Sequence, residues 1–465
     1  MVYKLGILVS VLMLSIMGKT QTDANGLPLL PIPSHAQLVW QNQAFYLFVH
    51  FGPNTFTDKE WGLGDEPENV FNATALNCNQ WARIAKAAGA NGIILTAKHH
   101  DGFCLWPSQF STHTVAQSKW QNGKGDVLKA CAEACKANGL SFGVYLSPWD
   151  RNHPQYGTPA YNTVFVNMLK EIFTHYGPIA ELWWDGANGE GSNGKKQIYD
   201  WSLFTKTVRQ LSPQTLIFSD IGPDIRWVGN EKGIAGTTNW NNLDTAGFFR
   251  GMGAPPTDTL QSGNYNGRCF IPAECDVSIR PGWFYHANED SLVKTPQQLF
   301  GLYAKSIGRG ANLLLNVPPS RQGLFSAPDS AALMGFKTLR EQTFATELLK
   351  KNAMMNTIHL SKKDVRRRYP GYNYIFKKPM VLNCLVLEED VTRGQAISSL
   401  KITLSWHGEV QQSINITTVG NQRMICFPNC NATEISVVVA GAKNLPYLKS
   451  IRAYQIPDEL LPYVL

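Results

Sequence analysis

The groups in this chain that could do chemistry are carboxylates, histidines and large rings set at the ends of short apolar runs. Asp185 follows Trp183-Trp184 and precedes Gly186, a residue that lets the chain turn away and a ligand approach. A carboxylate in that setting reads as a nucleophile. Acting on a sugar, it needs a second carboxyl to protonate the departing oxygen, about 5–5.5 Å away for a retaining reaction. Asp224, Glu231, Glu274 and Asp276 are the candidates. Glu231 is preferred because it lies in Arg226-Trp227-Val228-Gly229-Asn230-Glu231-Lys232-Gly233, a Gly-rich loop. There, desolvation by Trp227 is expected to raise its pKa and Arg226 to oppose the rise. His50, the run Lys98-His99-His100-Asp101-Gly102, and Tyr145 complete the polar set. A metal site built from His50, His99, His100 and Asp101 is the competing reading. Adjacent histidines on an extended segment point to opposite sides, so no metal is expected.

Something must bring these groups together. Apolar and β-branched runs predict strands at Tyr46 to His50, Gly92 to Lys98, Ser141 to Leu146, Ile179 to Trp184, Thr215 to Ser219, Cys275 to Ile279 and Asn312 to Asn316. Amphipathic segments between them, such as Cys78 to Ala90, Gly125 to Ala137, Asn162 to His175, Trp201 to Leu211 and Pro296 to Ile307, predict helices. This alternation predicts a (β/α)8-like barrel, with a doubly wound sheet as the alternative. No Gly-x-Gly-x-x-Gly follows the first strand, which argues against dinucleotide binding. In a barrel the catalytic groups stand at the carboxyl ends of the strands, where His50, His99, His100, Tyr145 and Asp185 all fall. Taken singly, each reads as a hydrogen-bonded core group. Four successive strands ending this way point to a site. Beyond Glu347 short alternating segments without long helices predict an antiparallel β-sandwich that braces the barrel. The expected plan is a signal peptide over 1–20, a catalytic barrel over 21–346 and a sandwich over 347–465.

Composition limits the function classes. Of 465 residues, 44% are hydrophobic, 11% aromatic and 17% charged, which excludes a disordered chain and suits ring-lined carbohydrate clefts. The net charge of +7 is scattered apart from the run Lys362, Lys363, Arg366, Arg367, Arg368, so nucleic acid is not an expected partner. The apolar stretch Leu5 to Gly18 behind Lys4 reads as a secretory signal, giving a secreted or periplasmic protein. It is shorter than the about 20 residues of a membrane span, so no stable insertion is expected after cleavage. The nine cysteines do not form a small disulfide scaffold, and Cys131 with Cys135 or Cys426 with Cys430 are the pairs considered for a bridge.

Several motifs together carry a resemblance. Phe48-Val49-His50-Phe51-Gly52, Thr55-Phe56-Thr57-Asp58-Lys59-Glu60-Trp61-Gly62, Lys98-His99-His100-Asp101-Gly102-Phe103, Trp183-Trp184-Asp185-Gly186 and Asn312-Leu313-Leu314-Leu315-Asn316-Val317 resemble the α-L-fucosidases of glycoside hydrolase family 29. The likeness runs from about Pro33 to Arg340 and continues loosely through Leu387-Glu388-Glu389-Asp390-Val391. The loop at Glu231 and Cys275-Asp276-Val277-Ser278-Ile279-Arg280-Pro281-Gly282-Trp283 resemble the branch that prefers α1,3- and α1,4-linked fucose on branched, Lewis-type glycans. The resemblance implies a retaining, exo-acting fucosidase that needs no cofactor, with Asp185 as nucleophile and Glu231 as general acid/base. It also implies a fucose pocket shaped by His50, Glu60, Trp61, His99, His100, Tyr145 and Trp283, with Arg226 orienting an acid or touching substrate. The alternatives are a broader-specificity fucosidase, or a non-catalytic fucose-binding protein on a hydrolase scaffold. The latter would keep the rings and lose a carboxylate.

Overall fold

The computed structural model describes residues 29–250, 253–358 and 369–465. The expected signal peptide and the basic run near Arg366 lie outside them. Eight strands close into a barrel: β1 (Phe45–Val49), β2 (Gly92–Lys98), β3 (Ser141–Leu146), β4 (Glu181–Trp183), β5 (Leu216–Ser219), β6 (Ile225–Trp227), β7 (Ala273–Ser278) and β8 (Asn312–Asn316). Each pairs in parallel with its sequence neighbours, and β8 returns to β1, which rules out the doubly wound alternative. The strand absent from the sequence reading is β6. It has three residues with a charged one in the middle, and hydrophobic periodicity does not register so short a run.

Alternation within the strands sorts two cores. Leu47, Val49, Leu95, Val144, Leu182, Ile217, Val277, Leu313 and Leu315 face outward into the main apolar cluster beneath the helices. Tyr46, Phe48, Ile94, Tyr145, Trp183, Phe218, Ile225 and Leu314 fill the barrel interior. Each large side chain so buried contributes roughly 1.5–3 kcal/mol before the entropy of ordering it. The surrounding helices start where side chains can cap them. Asn77 accepts from Gln80 N at Cys78–Ala87, Asp126 from Lys129 N at Val127–Ala137, and Thr295 forms a capping box with Gln298 at Pro296–Lys305.

Helix α1 (His35–Gln43) closes the lower end. Trp40 enters the interior core and its indole donates to Glu181 Oε2 at 2.8 Å. Just above, Glu274 accepts from the Tyr46 hydroxyl and from Trp183 Nε1 at 2.8 Å. Burial pushes the pKa of both glutamates up, and for Glu181 the neighbouring Glu274 adds to the effect.

The last barrel helix, Ala327–Phe344, leads into a six-stranded antiparallel sheet. Its strands are β9 (Ala353–Ile358), β10 (Gly371–Glu389), β11 (Ile397–Trp406), β12 (Glu409–Ile416), β13 (Arg423–Ala442) and β14 (Leu448–Tyr454). The long β10 and β13 pair in two main stretches separated by a register shift between Ile375 and Met380, with a second shift between Leu382 and Cys384. The first stretch carries β9 and β11, the second carries β14, and one apolar cluster combines residues of both, including Leu385, Ile425, Ile402 and Val437. Both stretches thus belong to one continuous antiparallel sheet with its own apolar cluster. Alternate residues Cys384, Val386, Met424 and Tyr454 join the barrel's outer core instead. The sheet also grips the segment between β6 and β7. Gln395 accepts from Asn241 N at 2.7 Å and donates to Asn239 O at 3.1 Å, and Thr418 Oγ1 accepts from Asn239 N at 2.9 Å.

All nine cysteines lie among the described residues and carry free thiols. Neither pair weighed from the sequence is joined, and Cys426 faces Cys384 across the strands, with sulfurs 3.9 Å apart. Among the described residues no helix is long and apolar enough to cross a membrane.

Candidate active site

At the carboxyl ends of the strands lies a cavity of about 170 Å³. It is lined by His50, Glu60, Trp61, His99, His100, Tyr145, Asp185, Glu231 and Trp283, together with Phe48, Trp183, Ala187 and Asp276. Its volume is below that of pockets for drug-sized ligands, and it suits one sugar ring. Asp185, one residue beyond Trp184, is held by two donors: Tyr145 OH reaches Oδ2 at 3.0 Å and Ala187 N reaches Oδ1 at 2.8 Å. His100 Nε2 stands 3.6 Å from Oδ2. Burial, with the charge of Asp185 beside it, pushes the Tyr145 hydroxyl up, so it remains a donor at physiological pH.

Glu231 stands at the rim on the loop that leaves β6, exposed to solvent, where Trp283 Nε1 donates to its Oε2 at 3.3 Å. The ring beside this acid is therefore Trp283. The Trp227 indole expected there donates instead to Asp276 Oδ1 at 2.8 Å. Asp276 is buried on β7, and burial foremost raises its pKa well above the carboxylate range, with Glu231 among the lesser causes. The other two carboxyls weighed as partners lie elsewhere. Asp224 is paired with Arg209 and accepts from Ile217 N at 2.7 Å, while Glu274 belongs to the interior pair below the site.

Arg226 is a correction. Its side chain is fully buried on β6 and does not line the cavity. It donates to the carbonyls of Leu260, Ile271 and Trp240 and to Asn239 Oδ1, tying down the long connection to β7. It does not reach the cavity.

The three histidines share one side of the cavity. His99 and His100, expected to diverge, have ring centroids 4.2 Å apart, because the chain leaves the strand at Lys98 and turns, Gly102 N bonding back to His99 O at 3.0 Å. The alternation rule stops where the strand stops. Burial lowers all three pKa values, to about 3 for His50, to about 4 for His100 and well below the ordinary value for His99, so the rings are neutral near pH 7. Among the described residues no cluster of histidine, cysteine and carboxylate side chains is arranged to hold a metal ion. Trp61, 55% exposed, sets its edge against His100 at 5.6 Å and Trp149 at 5.5 Å and forms an aromatic wall at the mouth. Glu60 lines the cavity while its oxygens serve its own chain. They accept from Trp283 N at 2.6 Å, Phe284 N at 3.2 Å and His286 Nε2 at 2.7 Å.

Phe48 and Trp183 also line the cavity beside Asp276, one of the carboxyls weighed from the sequence, and the sequence holds a signal for both rings. Phe48 shares the parity of His50, and Trp183 that of Asp185. The inward face therefore includes Trp183, whereas Trp184 packs outward against Trp201 and Phe204.

A larger cleft of about 740 Å³, lined by Leu140, Phe142, Tyr176, Pro178 and Ile179 among others, opens at the other end of β3 and β4. Barrel enzymes keep their chemistry at the opposite end, and no pair of acids meets there. Comparison with known proteins identifies the family. A family model described as alpha-L-fucosidase matches residues 33–337. Alpha-L-fucosidase 1 of Arabidopsis thaliana is 39% identical over 453 residues, covering 92% of this chain and 88% of the plant protein. The crystal structure of a glycoside hydrolase 29 family member from an unknown rumen bacterium is 40% identical with a TM-score of 0.85, covering 93% of this chain and 78% of that one. A Ruminococcus gnavus GH29 fucosidase in complex with fucose is 26% identical with a TM-score of 0.82, covering 95% of this chain and 99% of that one. A carboxylate at the end of β4, an aromatic cavity for one sugar and these matches lead to one conclusion: the chain belongs to the α-L-fucosidase family, glycoside hydrolase family 29.

Proposed function

We propose that this fucosidase is exo-acting and retaining, and that it removes terminal α1,3- or α1,4-linked L-fucose from branched, Lewis-type glycans. The observation that carries the reading is the placement of two carboxyls on one cavity: Asp185 held by two donors within it, and Glu231 exposed at its rim beside Trp283. Asp185 attacks the anomeric carbon while Glu231 gives its proton to the departing glycan oxygen, leaving a covalent fucosyl ester. Glu231, now a carboxylate, takes a proton from water, which attacks the same carbon and frees Asp185 with net retention. Two carboxyls and water complete this sequence without a cofactor. An acid at the rim suits a leaving group that is a bulky glycan projecting from the mouth; Asp276, buried behind Trp227, is less able to reach it. His50, His99 and His100 supply polar contacts, and Trp61 and Trp283 cover the apolar ring face and methyl group. The apolar stretch Leu5 to Gly18 supports secretion or a periplasmic location, where fucosylated glycans are met.

The test is free fucose released from a Lewis-type trisaccharide, its α1,2-fucosyl isomer and an aryl α-L-fucoside. Release from the Lewis-type sugar over the isomer supports the linkage preference, and equal release refutes it. Asp185→Asn is expected to abolish turnover with the fold intact and to be rescued by azide, and Glu231→Ala to lose the glycan before the activated aryl substrate. Near-normal activity in either variant removes that residue from its role.

A further inference from the structure

Two cavity histidines are held from behind by partners whose own hydrogen bonds leave no freedom of role. Asn316, at the end of β8, accepts from His50 N through Oδ1 at 3.3 Å and donates through Nδ2 to the Trp283 carbonyl at 2.8 Å. A backbone N–H can only donate and a carbonyl can only accept, so both ends of the amide are fixed. Ser278 agrees: its hydroxyl gives its one proton to Gly282 O at 2.6 Å, and its oxygen receives Asn316 Nδ2 at 2.9 Å. Asn316 Oδ1 is also 2.9 Å from His50 Nδ1. An amide oxygen cannot donate, so His50 Nδ1 carries the hydrogen.

His100 repeats the device with another residue. Its Nδ1 lies 2.8 Å from Ser147 Oγ, and Ser147 gives its proton to the Trp149 carbonyl at 2.8 Å. The hydroxyl has no second proton to offer, so His100 Nδ1 is again the donor. Both rings are buried and neutral near pH 7, so each carries one ring proton and Nε2 is bare. On the His100 side the bare nitrogen stands 3.6 Å from Asp185 Oδ2, two acceptors with no hydrogen between them. A ligand hydroxyl that donates its proton into that gap relieves the repulsion. His99 is not treated this way, since its buried Nδ1 has no hydrogen-bond partner among the described residues.

We propose that Asn316 and Ser147 are positioning residues that set the polarity of the cavity: by fixing the Nδ1–H tautomer of His50 and His100 they turn two Nε2 lone pairs towards the sugar, so the site takes hydroxyl protons rather than offering its own. The ligand class is a sugar with free hydroxyls at both positions. The recognition half rests on the reading of the cavity as a sugar site, whereas the tautomers are a property of the sugar-free protein.

The tautomers are read directly from the ring-nitrogen resonances of protein labelled with 15N-histidine, assigned with His50→Gln and His100→Gln. Both histidines are expected to show a protonated Nδ1 and a bare Nε2 without ligand. An Nε2–H pattern or an imidazolium at pH 7 in either ring overturns the proposal. Ser147→Ala is expected to move His100 alone towards the other tautomer and to raise KM by roughly ten-fold, the scale of one lost hydrogen bond, with Ser147→Thr restoring both. Asn316→Ala is expected to do the same to His50. An unchanged tautomer in these variants refutes the positioning role even if activity falls. Recognition is tested with deoxy and deoxyfluoro analogues of L-fucose as competitive inhibitors. A hydroxyl that donates is lost equally in both, so a fluoro analogue that binds as well as fucose overturns the assigned polarity. Failure of every sugar to bind, with the tautomers as expected, counts against the sugar reading alone.

Discussion

Replacing Glu60 separates a residue that touches sugar from one that holds the wall of the site. Its carboxylate accepts from Trp283 N, Phe284 N and His286 Nε2, so it pins the segment carrying Trp283 to the loop after β1 at three points. Hydrogen bonds to a charged group contribute about 1.5–3 kcal/mol each. The carboxylate is 38% exposed, and water competes for it, so about 1 kcal/mol per bond is the fair figure here. Losing all three in Glu60→Ala therefore costs about 3 kcal/mol of loop positioning, which is on the order of a hundred-fold in the population of the competent arrangement. Glu60→Gln keeps one acceptor and is expected to lose about ten-fold. The assay is kcat/KM on an aryl α-L-fucoside, beside hydrogen exchange at the Trp283 and Phe284 amides, which should speed up in step. Gly282→Ala provides an independent check, because a Cβ there would press into the same carboxylate, 2.8 Å from its Cδ. If Glu60→Ala loses activity while both amides stay as protected as before, the side chain acts through the sugar and the clamp reasoning is wrong.

Three further outcomes follow from the same structure. Lys98 Nζ lies 3.0 Å from Asp150 Oδ2 with both groups buried beneath the site, so Lys98→Met is expected to cost about 3–5 kcal/mol in urea unfolding, with Asp150→Asn in the same chain recovering most of it. A loss under 1 kcal/mol would mean the pair is dispensable. In the barrel interior, burial raises Glu274 from the ordinary 4.5 to about 7. The native state then holds a proton that the unfolded chain has released, so stability should fall as pH climbs across that window, by on the order of 1–3 kcal/mol, and Glu274→Gln should flatten the curve. Stability that rises with pH there contradicts this. Oxidised glutathione is expected to join Cys384 to Cys426, which oppose each other in adjacent strands, and peptide mapping that finds Cys426 bridged to Cys430 would refute the pairing.

Sequence reading reached the barrel because seven of its strands are apolar runs between amphipathic helices, and it reached Asp185 because a polar group directly after such a run must stand at the open end. It stopped at β6. Ile225-Arg226-Trp227 carries too little apolar signal to be seen as a strand, so the sequence reads Arg226 as a loop residue near the cavity, whereas strand pairing buries it against the chain that follows. The same omission placed Trp227 beside Glu231, where Trp283 stands. Trp283 and Glu60 are 223 residues apart, and their contact arises only from closure of the barrel, which no local pattern encodes. The inward parity of Phe48, Trp183 and Asp276 was available from period two, but only after the strand limits were known.

Gln395 and Thr418 lie in loops of the sheet domain, and the backbone they hold, Asn239 and Asn241, belongs to the same connection from β6 to β7 as Glu231. That domain is thus a jig for the connection that carries Glu231. Inheritance and engineering are both constrained by this. A gene fragment ending after the helix Ala327–Phe344 would contain every cavity residue and still lack the fixture that sets one of the two carboxyls. Grafting a foreign accessory module onto this barrel would succeed only if it reproduced that grip, whereas the wall carrying Asp185 would tolerate the exchange.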